Sequence, residues 1–591
     1  MYLAQLNITN FRKFNKAELN FQKGLNVLVG ANNSGKTAVV DTLRALLAGH
    51  DEPHPRLDVD DIHRPKGGNP DGDIVLHFIF RDLDLDDEAD FLAALKPVAD
   101  GKMEAHFTIR YSEADKTGRL RAKRWCGDHE DVGLTADMME NLRGVYLPPL
   151  RDASRGLKPK RTSQLSRLFQ LLADDAGKEG IDNALKELDE ELKKHQPVVS
   201  THEAIKGRHG AMLGPQLAQA LDLGLSGSDF HRLAARLSLI VDSFEIEQNG
   251  LGFTNLIFMA VVLSELAKNP EASYRGLIIE EPEAHLHPQL QAVLLSYLET
   301  IQTGEGEKPV QLFVTSHSPN FASIANLDSL ACLVDTGAGV ETFFPRAITF
   351  ERRKREKLER YLDVTRAELF FARRVIFVEG AAELILVSVL AEKDGHNLRE
   401  HGVSIISVEG LNFDSFLPLF GTKALKIPVA IITDADPLAA AADGEEPQAL
   451  YPAPEDAVQV SANTAKMKEK EDTFVKVFHG LKTLEYDLAL HAENRAAMMS
   501  ALNELHPRIG ETVAASVDAA HDDAAKARAL FRGMFERPQN NVQKGRFGQA
   551  LAQVFADGAA CVVPDYIRNA IAHACQAGQG AQPEQVEPAE Q

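Results

Sequence analysis

Cysteine and tryptophan are scarce in this chain, at four and one among 591 residues. Cys126, Cys332, Cys561 and Cys575 lie far apart or in no ligand spacing. Neither a disulfide framework nor a zinc motif is suggested, and a reducing cytoplasm is the expected compartment. Long apolar runs are also missing: none reaches the roughly 18 residues of a membrane span. The opening MYLAQLNITNFRKF lacks the pattern of a signal peptide, so no membrane partner is expected. Positive charge is short too, with 64 Lys and Arg against 86 Asp and Glu, a net charge of −22. That excludes a uniformly basic nucleic-acid binder but not a locally basic one. Arg151 to Arg167 is such a stretch, and Arg346 to Arg374 holds ten Lys and Arg against five Asp and Glu. A chain this long exceeds one core, and two to four domains are expected.

The stretch that organises the rest is Gly30-Ala31-Asn32-Asn33-Ser34-Gly35-Lys36-Thr37, which fits GxxxxGK[ST] at every fixed position. The apolar strand Leu25–Val29 precedes it, and a helix with Val39, Leu43, Leu46 and Leu47 inward follows. Backbone N–H groups of the loop and the helix N-terminus would cradle phosphates. Lys36 would reach the β- and γ-phosphates, and Thr37 would hold Mg²⁺. The expected ligand is a nucleoside triphosphate.

Four later segments carry further signals. From about 163 to 222 the pattern is helical, with Ile181, Leu185, Leu188 and Leu192 in a narrow apolar seam. That seam suits a dimerisation element or a helix packed on its own domain. Asn249-Gly250-Leu251-Gly252-Phe253-Thr254-Asn255 opens an apolar helix and offers a second anion site. The buried strand Leu277-Ile278-Ile279 delivers Glu280 and Glu281, the first to hold Mg²⁺ through water and the second to polarise the attacking water. The strand Gln311–Thr315 leads to His317, placed to sense the γ-phosphate.

Beyond the basic stretch, strands alternate with helices. Arg374–Val378 leads into Glu379-Gly380-Ala381-Ala382-Glu383, whose two acids are expected on one face of a helix start. Their repulsion there calls for a cation between them. Ile427–Thr433 ends in Asp434-Ala435-Asp436-Pro437, and alternation in an extended chain would point both aspartates together. Ligand sites of parallel sheets lie beyond the carboxyl ends of the strands. Oxygen-only donors there suit Mg²⁺ or Mn²⁺ rather than zinc.

In order, NITNFRKF (with Arg12), GANNSGKT, NGLGFTN, LIIEEPEAHLHP and FVTSHSP resemble the ATP-binding-cassette ATPases of the SMC, RecF and OLD (overcoming lysogenization defect) group. Residues about 370–500 resemble the TOPRIM domain, and the fusion of the two resembles OLD nucleases, including Gabija-type defence nucleases. Glu280 in place of Asp, and NGLGFTN in place of an LSGGQ-like signature, are similar to the OLD branch. The resemblance implies an ATP sandwich in which Gly250, Gly252 and Asn255 complete the partner's site. It also implies a third acid, Glu485 with Asp487, and a lysine, Lys544, in a two-metal centre with Glu379, Glu383, Asp434 and Asp436.

The expected fold is α/β and multidomain: an ABC/SMC-like ATPase head in two parts, 1–162 and 231–345, around a helical dimerisation insertion at 163–230. A basic linker, 346–369, then precedes a Rossmann-like parallel-sheet TOPRIM domain with C-terminal helices, 370–575, and a disordered tail, 576–591. The expected function is an ATP- and Mg²⁺- or Mn²⁺-dependent DNA endonuclease of DNA repair or anti-phage defence. Its expected partners are DNA, a second copy of the chain and a helicase or other defence protein. The alternatives are an SMC-like repair ATPase whose TOPRIM domain does not cut, or a topoisomerase- or primase-like enzyme; the topoisomerase would need a tyrosine for a covalent DNA link, and Tyr486 and Tyr566 are available but in no recognisable winged-helix context.

Overall fold

A computed structural model describes residues 1–48, 54–65, 68–149, 156–214, 216–226, 229–301, 303–337, 339–439, 448–458 and 460–576. Arg151, Arg155 and the expected tail from 577 onward lie outside the described residues.

Three sheets position the chemistry. The first is antiparallel, built from β1 (Tyr2–Phe11), β2 (Phe14–Asn20), β4 (Ile74–Arg81), β5 (Leu95–Pro97), β6 (Met103–Ser112) and β7 (Arg121–Cys126). The second runs in the order β14 (Val340–Phe343), β13 (Leu330–Asp335), β3 (Leu25–Val29), β12 (Gln311–Thr315), β11 (Tyr274–Glu280), β8 (Leu142–Leu147). It is parallel except for β14. The third, all parallel, has the order β16 (Val403–Ser407), β15 (Arg374–Val378), β17 (Val429–Thr433), β18 (Val475–His479). A short hairpin, β9 (Ile240–Val241) with β10 (Phe244–Glu245), stands apart from them.

The second sheet is covered on both faces, which is why its strands read as unbroken apolar runs. Side-chain alternation sorts them cleanly. Leu28, Ile278 and Phe313 face a core shared with the antiparallel sheet. Val27, Val29, Leu277, Ile279, Leu312 and Val314 face the other way. That second core continues into Val375, Phe377, Val429, Ile431 and Val477 of the third sheet. Ile376, Val378, Ala430 and Ile432 point instead toward the C-terminal helices. Each fully buried Leu, Ile or Phe adds about 1.5–3 kcal/mol, so the two parallel sheets are joined by a substantial apolar contact.

The stretch 346–369, expected as a basic linker, is folded. It holds helix Lys354–Tyr361, and Leu358, Ala367 and Leu369 are buried in the shared core. Many of its cations are taken up internally. Arg355 pairs with Asp328 at 2.8 Å, Arg366 with Glu409 at 2.6 Å, and Lys354 with Asp414. Arg346 donates to the backbone oxygens of Asp328 and Asn20. Exposed Arg352, Arg353 and Arg360 remain at its surface.

Residues 164–234 are mainly helical. The two long helices, Asp175–Leu192 and Gln196–Leu213, bury no residue. Leu188 of the seam is 49% exposed, and Ile205, Met212 and Leu217 are exposed too. Helix Leu251–Lys268 is, by length and composition alone, apolar enough to cross a membrane. It is a core helix: Val262 and Leu266 are fully buried, and its Glu265 pairs with Arg143.

Candidate ATPase and TOPRIM sites

Adjacent parallel strands bring the first site together. The loop after β3, the acids ending and following β11, and His317 after β12 all lie at carboxyl ends of neighbouring strands. Gly30 and Gly35 have φ of 151° and 94°, which only glycine adopts freely. A Cβ on Gly30 would lie 2.4 Å from the Leu333 oxygen. Ser34 and Lys36 are buried, while Asn32, Asn33 and Thr37 are exposed. Lys36 Nζ donates back to the carbonyls of Gly30 (2.7 Å) and Ala31 (2.9 Å). Burial lowers its pKa to about 8, and Glu281 works against that shift.

Glu280 is buried, and Tyr146 donates its hydroxyl to Glu280 Oε1 at 2.6 Å. Burial pushes the Glu280 carboxyl up despite that bond. Glu281 sits at φ 47°, a strained backbone for a glutamate. His317 Nε2 lies 3.9 Å from Glu281 Oε1. Burial, then Lys36, lowers the His317 pKa. Glu283 fixes this loop by accepting from Ser316 Oγ at 2.6 Å and from the His317 N–H at 3.1 Å. Sequence reading missed Glu283 and Tyr146, because each acts through a residue of a different strand loop.

The other ATPase candidates are more dispersed. Arg12 pairs with Asp41 and Asp61, both at 2.8 Å. Gly250 caps helix Leu251–Lys268, and Asn255 is buried. A Cβ on Gly252 would lie 2.7 Å from the backbone oxygen of His285, so the close approach of these two loops requires glycine here. A cavity of about 750 Å³ beside the phosphate loop has Gly30, Asn32 and His317 on one wall. Arg373 and Arg399, from the neighbourhood of the third sheet, stand on the other.

The second site lies at the carboxyl ends of β15 and β17. Glu379 Oε1 accepts from Thr433 Oγ1 at 2.6 Å and from the Asp434 N–H at 2.9 Å, tying the two neighbouring strand ends together. Glu383 is buried and accepts from the Gly380 N–H at 3.0 Å. The helix begins at Ala381, so Glu379 precedes it and Glu383 caps it. The capping bond fixes one oxygen of Glu383, while Glu485 and Glu379 still repel its charged form.

Glu485, 1% exposed, opens helix Leu484–Ala489 and accepts from Lys544 Nζ at 2.9 Å and Thr483 Oγ1 at 3.0 Å. Its Oε1 is buried with no hydrogen-bond partner. Asp487 is held by the N–H groups of Leu481 and Lys482, and burial raises its pKa to about 7. Burial, then Glu379, pushes the half-buried Asp434 well above the carboxylate range. Burial, then Glu485, raises Glu383. Burial alone would lower Lys544, but Glu485 and Asp434 more than offset it and raise it.

Asp436 stands at the exposed rim beyond the end of β17. β17 ends at Thr433, and Asp436 sits exposed at φ 40°, so strand alternation no longer applies there. Thr433 is a neighbour that sequence reading missed, and Tyr566, a candidate only for a covalent DNA link, stands near the acids, which help push its hydroxyl up, after burial.

Comparison with known proteins finds two family matches. The AAA ATPase domain family matches residues 1–196 and 146–322. The TOPRIM domain of overcoming lysogenization defect protein-like sequences matches residues 370–436. Endonuclease GajA of Bacillus cereus (strain HuB5-5) is 26% identical over 217 residues, 32% of this chain and 31% of that protein. The chain thus matches under a third of that relative's length. The OLD nuclease of Thermus scotoductus (strain ATCC 700910 / SA-01) is 24% identical over 456 residues, 73% of this chain and 82% of that protein. A solved C-terminal region of the Burkholderia pseudomallei OLD protein is 28% identical, covering 35% of this chain and 99% of that chain at a TM-score of 0.26. The chain belongs to the AAA ATPase domain family, with an OLD-like TOPRIM domain joined behind its ATPase.

Proposed function

We propose that this chain is an ATP-hydrolysing, divalent-metal-dependent DNA endonuclease, acting as a dimer in DNA repair or anti-phage defence. The observation that carries the reading is the convergence of Glu379, Glu383, Asp434 and Glu485 with Lys544 at two neighbouring strand ends. The names of Endonuclease GajA and the OLD nuclease support it. The donors are oxygens only, and the buried, unpartnered Glu485 Oε1 is what a cation would satisfy, so the set fits Mg²⁺ or Mn²⁺. Glu379, Glu383, Asp434 and Glu485 would hold the ions, with exposed Asp436 as a rim ligand. When bound, such ions activate water and stabilise the leaving oxygen of a phosphodiester. Thr433 keeps Glu379 oriented, and Lys544 offsets negative charge that develops on the phosphate.

On the ATPase side, Lys36 would exchange its two loop carbonyls for β- and γ-phosphate oxygens. Thr37 and Glu280 would hold Mg²⁺, Glu281 would polarise the attacking water, and His317 beside it would report the γ-phosphate. Arg12 braces the phosphate-loop helix through Asp41. Gly250 and Asn255 would complete the nucleotide site of a second copy, with Gly252 shaping that loop. The unburied helices Asp175–Leu192 and Gln196–Leu213 would supply the rest of a dimer contact. DNA would be tracked by exposed cations such as Arg352 and Arg353, without reading sequence, with a helicase as a further partner.

Supercoiled plasmid incubated with the protein and Mg²⁺ tests the reading. Nicked and linear DNA is expected; relaxed closed circles would indicate a topoisomerase, and unchanged plasmid a binding role. Of the two tyrosines a covalent route could use, Tyr486 is fully buried and donates its hydroxyl to the Pro452 carbonyl at 2.9 Å.

A further inference from the structure

Three side chains of metal-binding type meet at the other end of the TOPRIM sheet. His396 and His401 lie between helix Ala381–Lys393 and β16, and Cys575 lies in the last turn of helix Asp565–Gln576. One ring nitrogen of each histidine and the Cys575 sulfur all stand within 4.8 Å of one another. Positions 396, 401 and 575 have no motif spacing, so the cysteine pattern predicted no zinc site; the fold brings these residues together.

The place is separate from the acid cluster. Both histidines precede β16, and Arg374, the first residue of β15, donates to the His401 carbonyl at 2.5 Å. These are amino ends of the strands, whereas Glu379 and Asp434 follow the carboxyl ends. Five residues of strand at about 3.3 Å each put roughly 16 Å between the two.

We propose that His396, His401 and Cys575 bind one Zn²⁺, with water in the fourth position. Two imidazoles and a thiolate are a borderline-soft donor set, which selects zinc over Mg²⁺ or Mn²⁺. With Zn–N about 2.0–2.1 Å and Zn–S about 2.3 Å, donors of a tetrahedral site stand roughly 3.4–3.6 Å apart. Closing from within 4.8 Å takes side-chain rotation on three fixed backbones. Asp394 Oδ2 lies 3.7 Å from His396 Nε2, near enough to accept from that ring nitrogen if the imidazole shifts to bind metal through the other. Cys575 gives up its thiol proton to solvent when the metal binds. Helix Asp565–Gln576 packs on β15, β17 and β18; the metal adds a link from that helix to the entry of the edge strand β16.

Metal analysis and Co²⁺ titration of the full chain test this. Wild-type protein is expected to carry about one zinc per chain, falling at least tenfold in Cys575→Ser and His401→Ala. The metal-depleted wild type should gain a thiolate-to-cobalt charge-transfer absorption that Cys575→Ser lacks. A carboxylate cluster cannot produce that band, so Glu379→Ala should keep it. Cys575→Ser changes one atom and His401 is exposed, and zinc should raise the thermal midpoint of the wild type alone. A wild type with no bound zinc and no cobalt–thiolate band overturns the proposal, as do variants that retain wild-type zinc.

Discussion

Lys544 Nζ stands 2.9 Å from Glu485 Oε2, while Oε1 of the same carboxylate is buried with no partner. One lysine thus faces a cluster with more negative charge than it can balance. The response is visible in the neighbours: Glu383 and Asp434 are both pushed toward their neutral forms, by burial first and by other carboxylates next.

Lys544→Met should therefore do two things. Plasmid cutting should fall on the order of a hundred- to a thousandfold, the usual cost of losing one preorganised charge at a reacting group. Phosphate release from ATP should stay within about twofold. The metal-free variant should melt below the wild type, and Mg²⁺ should narrow the gap by supplying the missing positive charge. Nicking assays beside thermal melts with and without Mg²⁺ check both; cutting at the wild-type rate would remove Lys544 from the chemistry.

What could be read from sequence was what depends on neighbours along the chain. GANNSGKT sits between a strand and a helix as its spacing demands, and Glu379 and Asp434 were legible because each follows an apolar strand. What local reasoning does not reach has a common physical origin. Alternation in an extended chain points Asp434 and Asp436 together, whereas β17 stops at Thr433 and leaves Asp436 to the loop that follows. The capping bond from the Gly380 N–H to Glu383 depends on where the helix starts, which spacing alone does not give. The cations of 346–374 looked available because partners such as Asp414 and Glu409 are distant in sequence. Gly252 read as a phosphate-facing glycine, and only the fold brings His285 against it.

A pH test concerns the antiparallel sheet. His77 Nε2 is 3.1 Å from His106 Nδ1, and His77 Nδ1 is 2.8 Å from Thr108 Oγ1. Burial, then His106 and Lys96, lowers His77 to about 4, with Asp128 opposing; burial also lowers His106, against its bond to Glu104. The unfolded chain therefore takes up protons more readily than the folded one. Stability should be complete above about pH 6.5 and decline as pH falls toward 4, by on the order of 1–2 kcal/mol after solvent screening. Urea melts across that range should be flatter for His77→Gln. A slope unchanged from wild type would assign the acid sensitivity to other groups.

The nucleotide site predicts distinct defects for three variants. Lys36→Ala should abolish binding of labelled ATP, whereas Glu281→Gln should bind ATP and trap it unhydrolysed in single-turnover experiments. Action across a head pair is best tested at Gly250, where an added Cβ meets nothing within 4 Å, rather than at Gly252. Gly250→Asp should bind ATP yet not hydrolyse it, because a carboxylate would face phosphate. Mixed with Glu281→Gln, it should regain one working site per heterodimer. No recovery at any mixing ratio would mean that each subunit hydrolyses alone.

The separation of the two chemistries rests on Glu379 and Asp434. They end neighbouring strands of the third sheet, and Glu379 is fixed by Thr433 and the Asp434 N–H rather than by any ATPase residue. Replacing either by Ala removes a proposed metal ligand and should slow DNA cleavage by on the order of a thousandfold. Hydrolysis of ATP should continue, since Lys36, Glu280 and Glu281 belong to the second sheet's loops. The two variants differ in expected stability. Asp434→Ala relieves a crowded carboxylate and should not lower the metal-free melting temperature. Glu379→Ala deletes two hydrogen bonds between strand ends and should lower it modestly, through a loss of about 1–2 kcal/mol of stability. Plasmid nicking beside phosphate release, on the same preparations in Mg²⁺ and then Mn²⁺, is the decisive comparison. Wild-type cutting by both variants would end the nuclease reading. If phosphate release collapses together with cutting, the two strand-end sites are not chemically independent, and the shared core between the sheets becomes the first place to look for the coupling.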